Sequence, residues 1–339
     1  MKKSIIIKLF SILSAAALLI MCTTIASASG FTDTEGHWAT ESIDFVVREG
    51  LMNGVEDGSR FAPNMSLTRG MVVTVLYRDN GAPEVMYEGV FGDVADGAYY
   101  TSAAIWASEN GVVMGTGEVN GVQMFSPDRN ITRQELAVMF MRYARYLGAN
   151  VDSSLDISSY PDCDKVASWA TDSVRWAVEK GLITGKKSGG DRTLSPEDDA
   201  SRAEFATIME RFKFNVVPVV LYGYLNEDVL EIRLVFNEPV QARALSVTPI
   251  INSERFSLVS GDWDLYWHDI CALRDFSVEA GDGVIAFREM TEIVGGVMMF
   301  ELKPCYQMKD TESFGISIVI NDGTENRELK ASCIVDTTK

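Results

Sequence analysis

The chain has 339 residues, of which 47% are hydrophobic and 23% are charged, and its formal net charge is −18 at pH 7. This acidic balance disfavours proteins that bind nucleic acid or anionic membranes through their overall charge, although it leaves room for a local cationic site. A chain of this length exceeds one ordinary hydrophobic core, so it predicts two domains or an array of repeats.

The N-terminus has the pattern of a secretory signal peptide. Three lysines stand among the first eight residues, an apolar run extends from Leu9 to Met21, and Ala26-Ser27-Ala28 follows as a small-residue cleavage site. The run is short for a membrane span, and an uncleaved N-terminal anchor is the alternative. We expect cleavage after Ala28, which leaves a secreted chain without a membrane segment.

The next feature is a ten-residue segment that occurs three times. Each copy begins 29 to 32 residues after an aromatic residue, with a pair of glycines between them. Self-similarity of this kind indicates a repeated supersecondary unit. The copies are LTRGMVVTVL (67–76), ITRQELAVMF (131–140) and ASRAEFATIM (200–209); the aromatic residues are Trp38, Tyr99 and Trp169; the glycine pairs are Gly50 and Gly54, Gly111 and Gly115, Gly181 and Gly185.

Each unit is predicted to be a helix, a loop and a second helix. The first helix begins near the aromatic residue, buries positions such as Ile43, Val46 and Val47, and ends at a glycine suited to a left-handed cap. Trp106 and Trp176 have the spacing of the buried face of this helix, so we interpret them as core residues.

The second helix begins at the repeated Thr or Ser. Thr132 with Glu135, and Ser201 with Glu204, fit the capping box in which hydroxyl and carboxylate each bind a free amide of the first turn. In the first unit Met71 takes the place of the glutamate, so that box is incomplete.

Capping does not explain the arginine that follows the Thr or Ser in every copy. A cation in the first turn even opposes the helix dipole. One explanation is anion binding: an exposed helix N-terminus presents free amides, and a guanidinium beside it makes a forked donor for a carboxylate or phosphate. The alternative is an arginine paired with an acidic neighbour between packed repeats. These arginines are Arg69, Arg133 and Arg202.

Taken together, the ordered motifs F-x-D, W, G, G, F-x-P and TR resemble three S-layer homology repeats. The resemblance starts at FTDTEGHWATESIDFVVREGLMNG and covers roughly 185 residues up to Phe214. It implies one pseudo-threefold all-α domain whose inter-repeat grooves bind secondary cell wall polysaccharide non-covalently, often through a pyruvylated terminal sugar. The positions implied to bind glycan are Arg69, Arg133, Arg202, Trp38, Tyr99, Trp169, Asp33, Asp93 and Asp162.

The repeats depart from the family pattern at several positions, which puts the usage of individual grooves in doubt, above all the groove built on the first unit. The departures are Gly70-Met71 for Ala-Glu, Tyr99 for Trp, Tyr160 for Phe, Leu194 for Phe and Ser201 for Thr.

The segment after Phe214 changes to strand-like alternation. VLEIRLVF (229–236) and FGISIVIN (314–321) alternate apolar and polar residues and lead into turn signals. Several such strands predict a β-sandwich, so the fold class is α + β multidomain. The expected divisions are a signal peptide at 1–28, repeats at 29–85, 86–150 and 151–215, and a β-rich domain at 216–339.

The predicted function is anchoring of a secreted protein to the bacterial cell wall, with possible self-assembly in a surface layer. The alternative is a wall-anchored hydrolase or glycan-binding enzyme whose activity lies in 216–339. GDWDLYWHDIC (261–271) could form a carbohydrate-binding or hydrolytic loop, but we favour a solvated acidic loop whose aromatic residues alternate into the sandwich core. We predict no catalytic residue, no metal ligand and no cofactor.

Overall fold

The computed structural model describes residues 30–86 and 89–226, followed by the strands between 229 and 334; within those strands, side-chain environments are described at 328–331. The predicted signal peptide lies outside the described residues. In the helical part, no helix is long and apolar enough to cross a membrane.

The helix, loop, helix prediction is confirmed in all three repeats. Each first helix begins two residues after the repeated aromatic residue, and each second helix begins at the repeated arginine, with the Thr or Ser as its N-cap. The helices are α1 Thr40–Arg48, α2 Arg69–Asp79, α3 Thr101–Glu109, α4 Arg133–Tyr146, α5 Thr171–Glu179 and α6 Arg202–Asn215, with a 3-10 turn at Cys163–Lys165.

Local sequence signals set the helix ends as expected. Both capping boxes are present, and Thr68 caps α2 without one because its third helical residue is Met71. The glycine after each first helix is left-handed, with φ of 67° at Gly50 and 70° at Gly181. Trp106 and Trp176 are buried, which confirms their assignment to the core.

The loops of the second and third repeats contain short β-hairpins that the sequence analysis missed. Strands β1 (Gly117–Val119) and β2 (Val122–Met124) pair in the second repeat, and β3 (Lys186–Ser188) and β4 (Asp191–Thr193) pair in the third. The first repeat has a single bridge, between Val55 and Arg60. These hairpins project from otherwise similar loops, so they make the repeats different from one another.

A cyclic set of backbone hydrogen bonds joins the three repeats. The Leu67 amide donates to the Ala200 carbonyl (2.9 Å), the Ala200 amide to the Ile131 carbonyl (2.9 Å), and the Ile131 amide to the Leu67 carbonyl (3.0 Å). The three residues are fully buried and occupy equivalent positions just before the second helix of each repeat. The repeats therefore close on themselves with pseudo-threefold symmetry around one core.

At the far ends of the second helices, a buried polar cluster joins the three repeats again. The Tyr143 hydroxyl donates to one oxygen of Asp79, and the Lys213 ammonium donates to the other, both at 2.7 Å. Burial and the adjacent Asp79 carboxylate raise the pKa of Tyr143 well above its ordinary value, so it stays protonated.

Beyond the repeats the chain forms antiparallel strands. They are β5 Val219–Asn226, β6 Val229–Phe236, β7 Ala244–Ile251, β8 Glu254–Arg255, β9 Trp263–His268, β10 Ser277–Gly281, β11 Val284–Arg288, β12 Val297–Pro304, β13 Ser313–Asn321 and β14 Asn326–Ile334. One sheet has the order β5-β6-β12-β9 and the other has the order β10-β11-β7-β13-β14, with β8 paired to β7. The predicted strands at 229–236 and 314–321 are found as β6 and β13, and part of the predicted 261–271 loop is strand β9.

Strand β14 touches the end of the helical core. Leu329 is fully buried, and the Lys330 amide donates to the Leu147 carbonyl at 3.3 Å. The Lys330 ammonium lies 4.6 Å from the centre of the Tyr146 ring, a cation–π distance. The segment just after α4 therefore serves as a seat for the last strand.

Candidate functional site: the grooves between repeats

Each repeated arginine crosses a boundary between two repeats. All three side chains are buried, and each Nε donates to a carbonyl in the F-x-P loop of the following repeat in the cycle. The acceptors are Phe125 for Arg69 (2.9 Å), Leu194 for Arg133 (2.9 Å) and Phe61 for Arg202 (2.7 Å). The guanidinium planes thus lie at the inner walls of the grooves, with most of their surface covered by protein.

The helix N-termini beside these arginines are not open to an anion, so that expectation is wrong. The first two amides of α4 donate to Asp198 and Pro196 carbonyls of the third repeat, both at 3.0 Å. The third amide donates to the Thr132 hydroxyl. The same pattern holds for α2 and α6, because every F-x-P loop is inserted against the next helix start.

The alternative explanation, an acidic partner across the repeat boundary, is confirmed at two of the three arginines. Arg133 lies 3.0 Å from Glu204, and Arg69 lies 3.7 Å from Glu135. Both glutamates also belong to capping boxes, so one carboxylate caps its helix and binds the previous repeat.

Arg202 has no glutamate at the corresponding place, because Met71 stands there. Its guanidinium instead donates to the Asn53 carbonyl at 2.6 Å and lies 4.4 Å from the centre of the Phe61 ring. Burial lowers the pKa of Arg202 to about 10, and that of Arg69 to about 10, so both remain cationic at neutral pH.

The three predicted aspartates hold the F-x-P loops. The two carboxylate oxygens of Asp162 accept from the Leu194 and Ser195 amides at 2.8 and 2.7 Å. Asp33 and Asp93 make the equivalent pairs of bonds in the other repeats. The second loop residue has a positive φ in every repeat, 49° at Ser195, and the bonds from aspartate hold it there.

The three predicted aromatic residues, by contrast, lie on the surface. Trp38, Tyr99 and Trp169 are 66%, 61% and 60% exposed, which is high for such large apolar side chains. They stand at equivalent places before the first helix of each repeat, where a flat ring is available to a ligand.

One groove brings an exposed ring and a repeated arginine together. It is a cavity of 590 Å³ to which the first repeat contributes Trp38, the second Arg133 and the third the remaining walls. This volume is within the roughly 300–1,000 Å³ range of small-molecule sites. We call it the third-repeat groove; its lining residues are Trp38, Arg133, Leu182, Ile183, Thr184, Gly185, Lys186, Lys187, Arg192, Glu204, Thr207, Ile208 and Arg211.

Several cationic lining residues were missed by the sequence analysis. Lys186, Lys187 and Arg192 lie on the β3–β4 hairpin, and the predicted aspartates are absent from the lining. The adjacent lysines were visible in the sequence, but without the hairpin nothing linked them to Arg192 or to the groove.

Comparison with known proteins places the repeats in a family. Residues 30–70, 90–137 and 159–206 match the model of the S-layer homology domain. The chain is 27% identical to "Exoglucanase XynX" of Acetivibrio thermocellus over 53% of this chain and 16% of that protein. It is 28% identical to the "Surface-layer 125 kDa protein" of Lysinibacillus sphaericus over 62% of this chain and 17% of that protein.

A third relative is the "Cellulosome-anchoring protein" of Acetivibrio thermocellus, 38% identical over 26% of this chain and 19% of that protein. The chain thus spans less than a fifth of the length of each of these relatives. With its three matched segments, its cyclic helical core and its repeated motifs, the chain is a protein with three S-layer homology domains.

Proposed function

We propose that the three repeats anchor this protein to the cell wall by binding secondary cell wall polysaccharide, non-covalently, in the grooves between repeats. The observation that carries the proposal is the third-repeat groove, where the exposed Trp38 ring and the Arg133 guanidinium share one cavity. An aromatic face suits the apolar face of a sugar ring, and a guanidinium suits a carboxylate. A cell-surface location agrees with the named surface-layer and anchoring relatives.

The proposed roles differ among the repeated residues. The exposed aromatic rings contact sugar, whereas Arg69, Arg133 and Arg202 give the groove walls positive charge while joining the repeats. Asp33, Asp93 and Asp162 act as positioning residues, because each carboxylate already accepts two backbone amides. A pyruvyl ketal on the terminal sugar would supply the carboxylate that such a groove favours.

We propose that the C-terminal segment is presented outward from the cell wall. Its antiparallel strands form two sheets, which we infer to pack as a β-sandwich over residues 216–339, outward from the wall-binding repeats. The corresponding repeat boundaries are 29–85, 86–150 and 151–215. Assembly into a surface layer would use this region as the contact between copies.

Sedimentation of the full chain with purified cell wall sacculi tests the anchoring proposal. The chain should co-sediment with untreated sacculi and stay in the supernatant with sacculi stripped of secondary polysaccharide by acid. Equal sedimentation with both preparations, or with neither, would overturn the proposal.

Variants at Trp38 test whether its ring in the third-repeat groove binds the glycan. Trp38→Ala should weaken binding to sacculi by about tenfold, as expected for an aromatic anchor. Trp38→Tyr is the matched control, because Tyr99 occupies the same position in the second repeat, and it should keep most of the affinity. Since Trp38 is exposed, neither change should alter the unfolding midpoint, which separates binding from folding.

A further inference from the structure

The three grooves are built alike but carry different charges at the tip of their loops. At the same hairpin register, Lys187 pairs with Arg192 in the third repeat and Glu118 pairs with Gln123 in the second. In the first repeat, the turn between Val55 and Arg60 has acidic residues, Glu56 and Asp57.

The hairpin of the third repeat is therefore more cationic than the equivalent loop segments of the other two repeats. The lining of the third-repeat groove has five cationic side chains and a single carboxylate, Glu204. Arg133 and Arg211 have an arginine at the equivalent position in each of the other repeats, so they do not distinguish this groove. The lining cations particular to the third repeat are on its hairpin: Lys186, Lys187 and Arg192.

Contacts within the groove show which charges are available to a ligand. Lys186 lies 3.1 Å from Asp198 and 3.2 Å from Glu204, so its charge is shared with the protein. The Arg192 guanidinium donates to the Thr184 carbonyl at 2.7 Å, which fixes it over the groove while leaving its side chain exposed. Lys187 is exposed beside it on the facing strand.

The charge distribution of the protein favours binding of an anion in the third-repeat groove. With a net charge of −18, most of the surface repels anions, and a cleft that concentrates cations focuses the field on one groove. The exposed Trp38 ring closes the same cavity, so an anionic group and a sugar ring can be held together.

We propose that the third-repeat groove is the primary glycan site and that Lys187 and Arg192 select a ligand with an anionic group, a carboxylate or a phosphate, on its sugar. This inference rests on the proposed wall-binding function and goes further, because it assigns one groove and two hairpin residues outside the repeated motifs. The grooves of the first and second repeats contribute weaker contacts.

The test is an exchange of hairpin pairs in the full chain. Lys187→Glu with Arg192→Gln gives the third repeat the pair that the second repeat already accommodates, so folding should be retained. The reciprocal variant, Glu118→Lys with Gln123→Arg, is the matched control. The probe is polysaccharide released from purified sacculi, with affinity measured by calorimetry at low and at high salt.

The third-repeat variant should bind the polysaccharide at least about tenfold more weakly, with less salt dependence, because surface charge contributions are screened by salt. The reciprocal variant should bind at least as tightly as the original chain. Equal affinity of the third-repeat variant and the original chain would overturn the inference while leaving the anchoring proposal intact. No binding by the original chain would overturn both.

Two further probes identify the anion. The same polysaccharide after mild acid hydrolysis of its ketals lacks the carboxylate, and poly(glycerol phosphate) carries phosphate without it. Loss of binding with the first probe assigns a carboxylate, and binding of the second assigns a phosphate. Undiminished binding of the hydrolysed polysaccharide together with no binding of the phosphate polymer would contradict the selection of an anion.

Discussion

At the residue scale, the repeats show how one motif serves two neighbours at once. Glu135 caps its own helix through Thr132 and also faces Arg69 of the preceding repeat. Departures from the motif have local causes: an added Cβ on Gly70 would lie 3.1 Å from the Tyr100 ring. Tyr100 stands where the other repeats have Ala39 and Ala170, so a larger residue on one side is matched by a smaller one on the other.

The missing carboxylate of the first repeat gives a stability prediction. Met71→Glu should complete the capping box with Thr68 and place a carboxylate near Arg202, which together should stabilise the fold by about 1 kcal/mol. Thermal unfolding should show this as an increase of roughly 2–4 °C in Tm. Met71→Gln is the control, because it can complete the box without a charge and should give a smaller increase. A lower Tm for both variants would mean that packing of the Met71 side chain matters more.

Glu135 gives a pH prediction. Burial raises the pKa of this carboxyl, but hydrogen bonds from Arg129 and the Thr132 amide outweigh it, so its pKa is lower in the folded chain than in the unfolded one. The unfolded chain therefore binds the proton more readily in acid. Stability from this group is present above the ordinary glutamate pKa of about 4.3 and is lost as the pH falls through the folded value.

Urea unfolding at several pH values measures this effect. The original chain should lose stability more steeply than Glu135→Gln as the pH falls below about 4.3, and the two curves should converge in strong acid. Parallel curves over the whole acid range would show that Glu135 does not contribute through its charge.

At the element scale, the helices could be predicted from the sequence, whereas the groove could not. Periodic apolar residues, the repeated Thr or Ser and the glycines specify the helices locally, so the first helices end and the second helices begin where expected. The β1–β2 turn also had a local signal in Asn120-Gly121, whose φ values of 53° and 78° are those of a type I′ hairpin. The grooves depend instead on contacts between residues of different repeats, 56 to 141 positions apart for the three arginines, and no pattern within one repeat reveals them.

The F-x-P loops give a prediction at this scale. Asp162→Ala should destabilise the fold by about 2–4 kcal/mol, because the buried Leu194 amide and the partly buried Ser195 amide lose their acceptor and the strained Ser195 loses its restraint. Asp162→Asn keeps one carbonyl acceptor and should cost less. Urea unfolding provides the measurement, and Asp156→Ala, in an exposed turn of the same repeat, serves as the control with little expected change. Similar stability of Asp162→Ala and Asp156→Ala would contradict the positioning role.

At the scale of the whole molecule, closure of the repeats depends on residues that are far apart in the chain. The cyclic bonds among Leu67, Ile131 and Ala200 close one end of the bundle, and the Asp79 cluster joins the other. Loss of one repeat would leave both sets incomplete, so the three repeats form a single cooperative unit. Strand β14 then extends the unit beyond its helices.

The seat of β14 gives a prediction for the whole chain. Leu329→Ala should leave a cavity where β14 meets the end of α4 and destabilise that contact by about 2–5 kcal/mol. Leu329 is buried and the neighbouring Lys330 amide bonds to Leu147, so exchange of that amide with deuterium should accelerate in the variant.

The buried amides of α4 should keep their protection, because they are held by the helical core itself. Glu118→Gln, an exposed change on the β1–β2 hairpin away from this contact, is the control. Unchanged exchange at Lys330 in Leu329→Ala would mean that strand pairing with β13 alone holds β14, and that the helical core and the sheets are joined elsewhere.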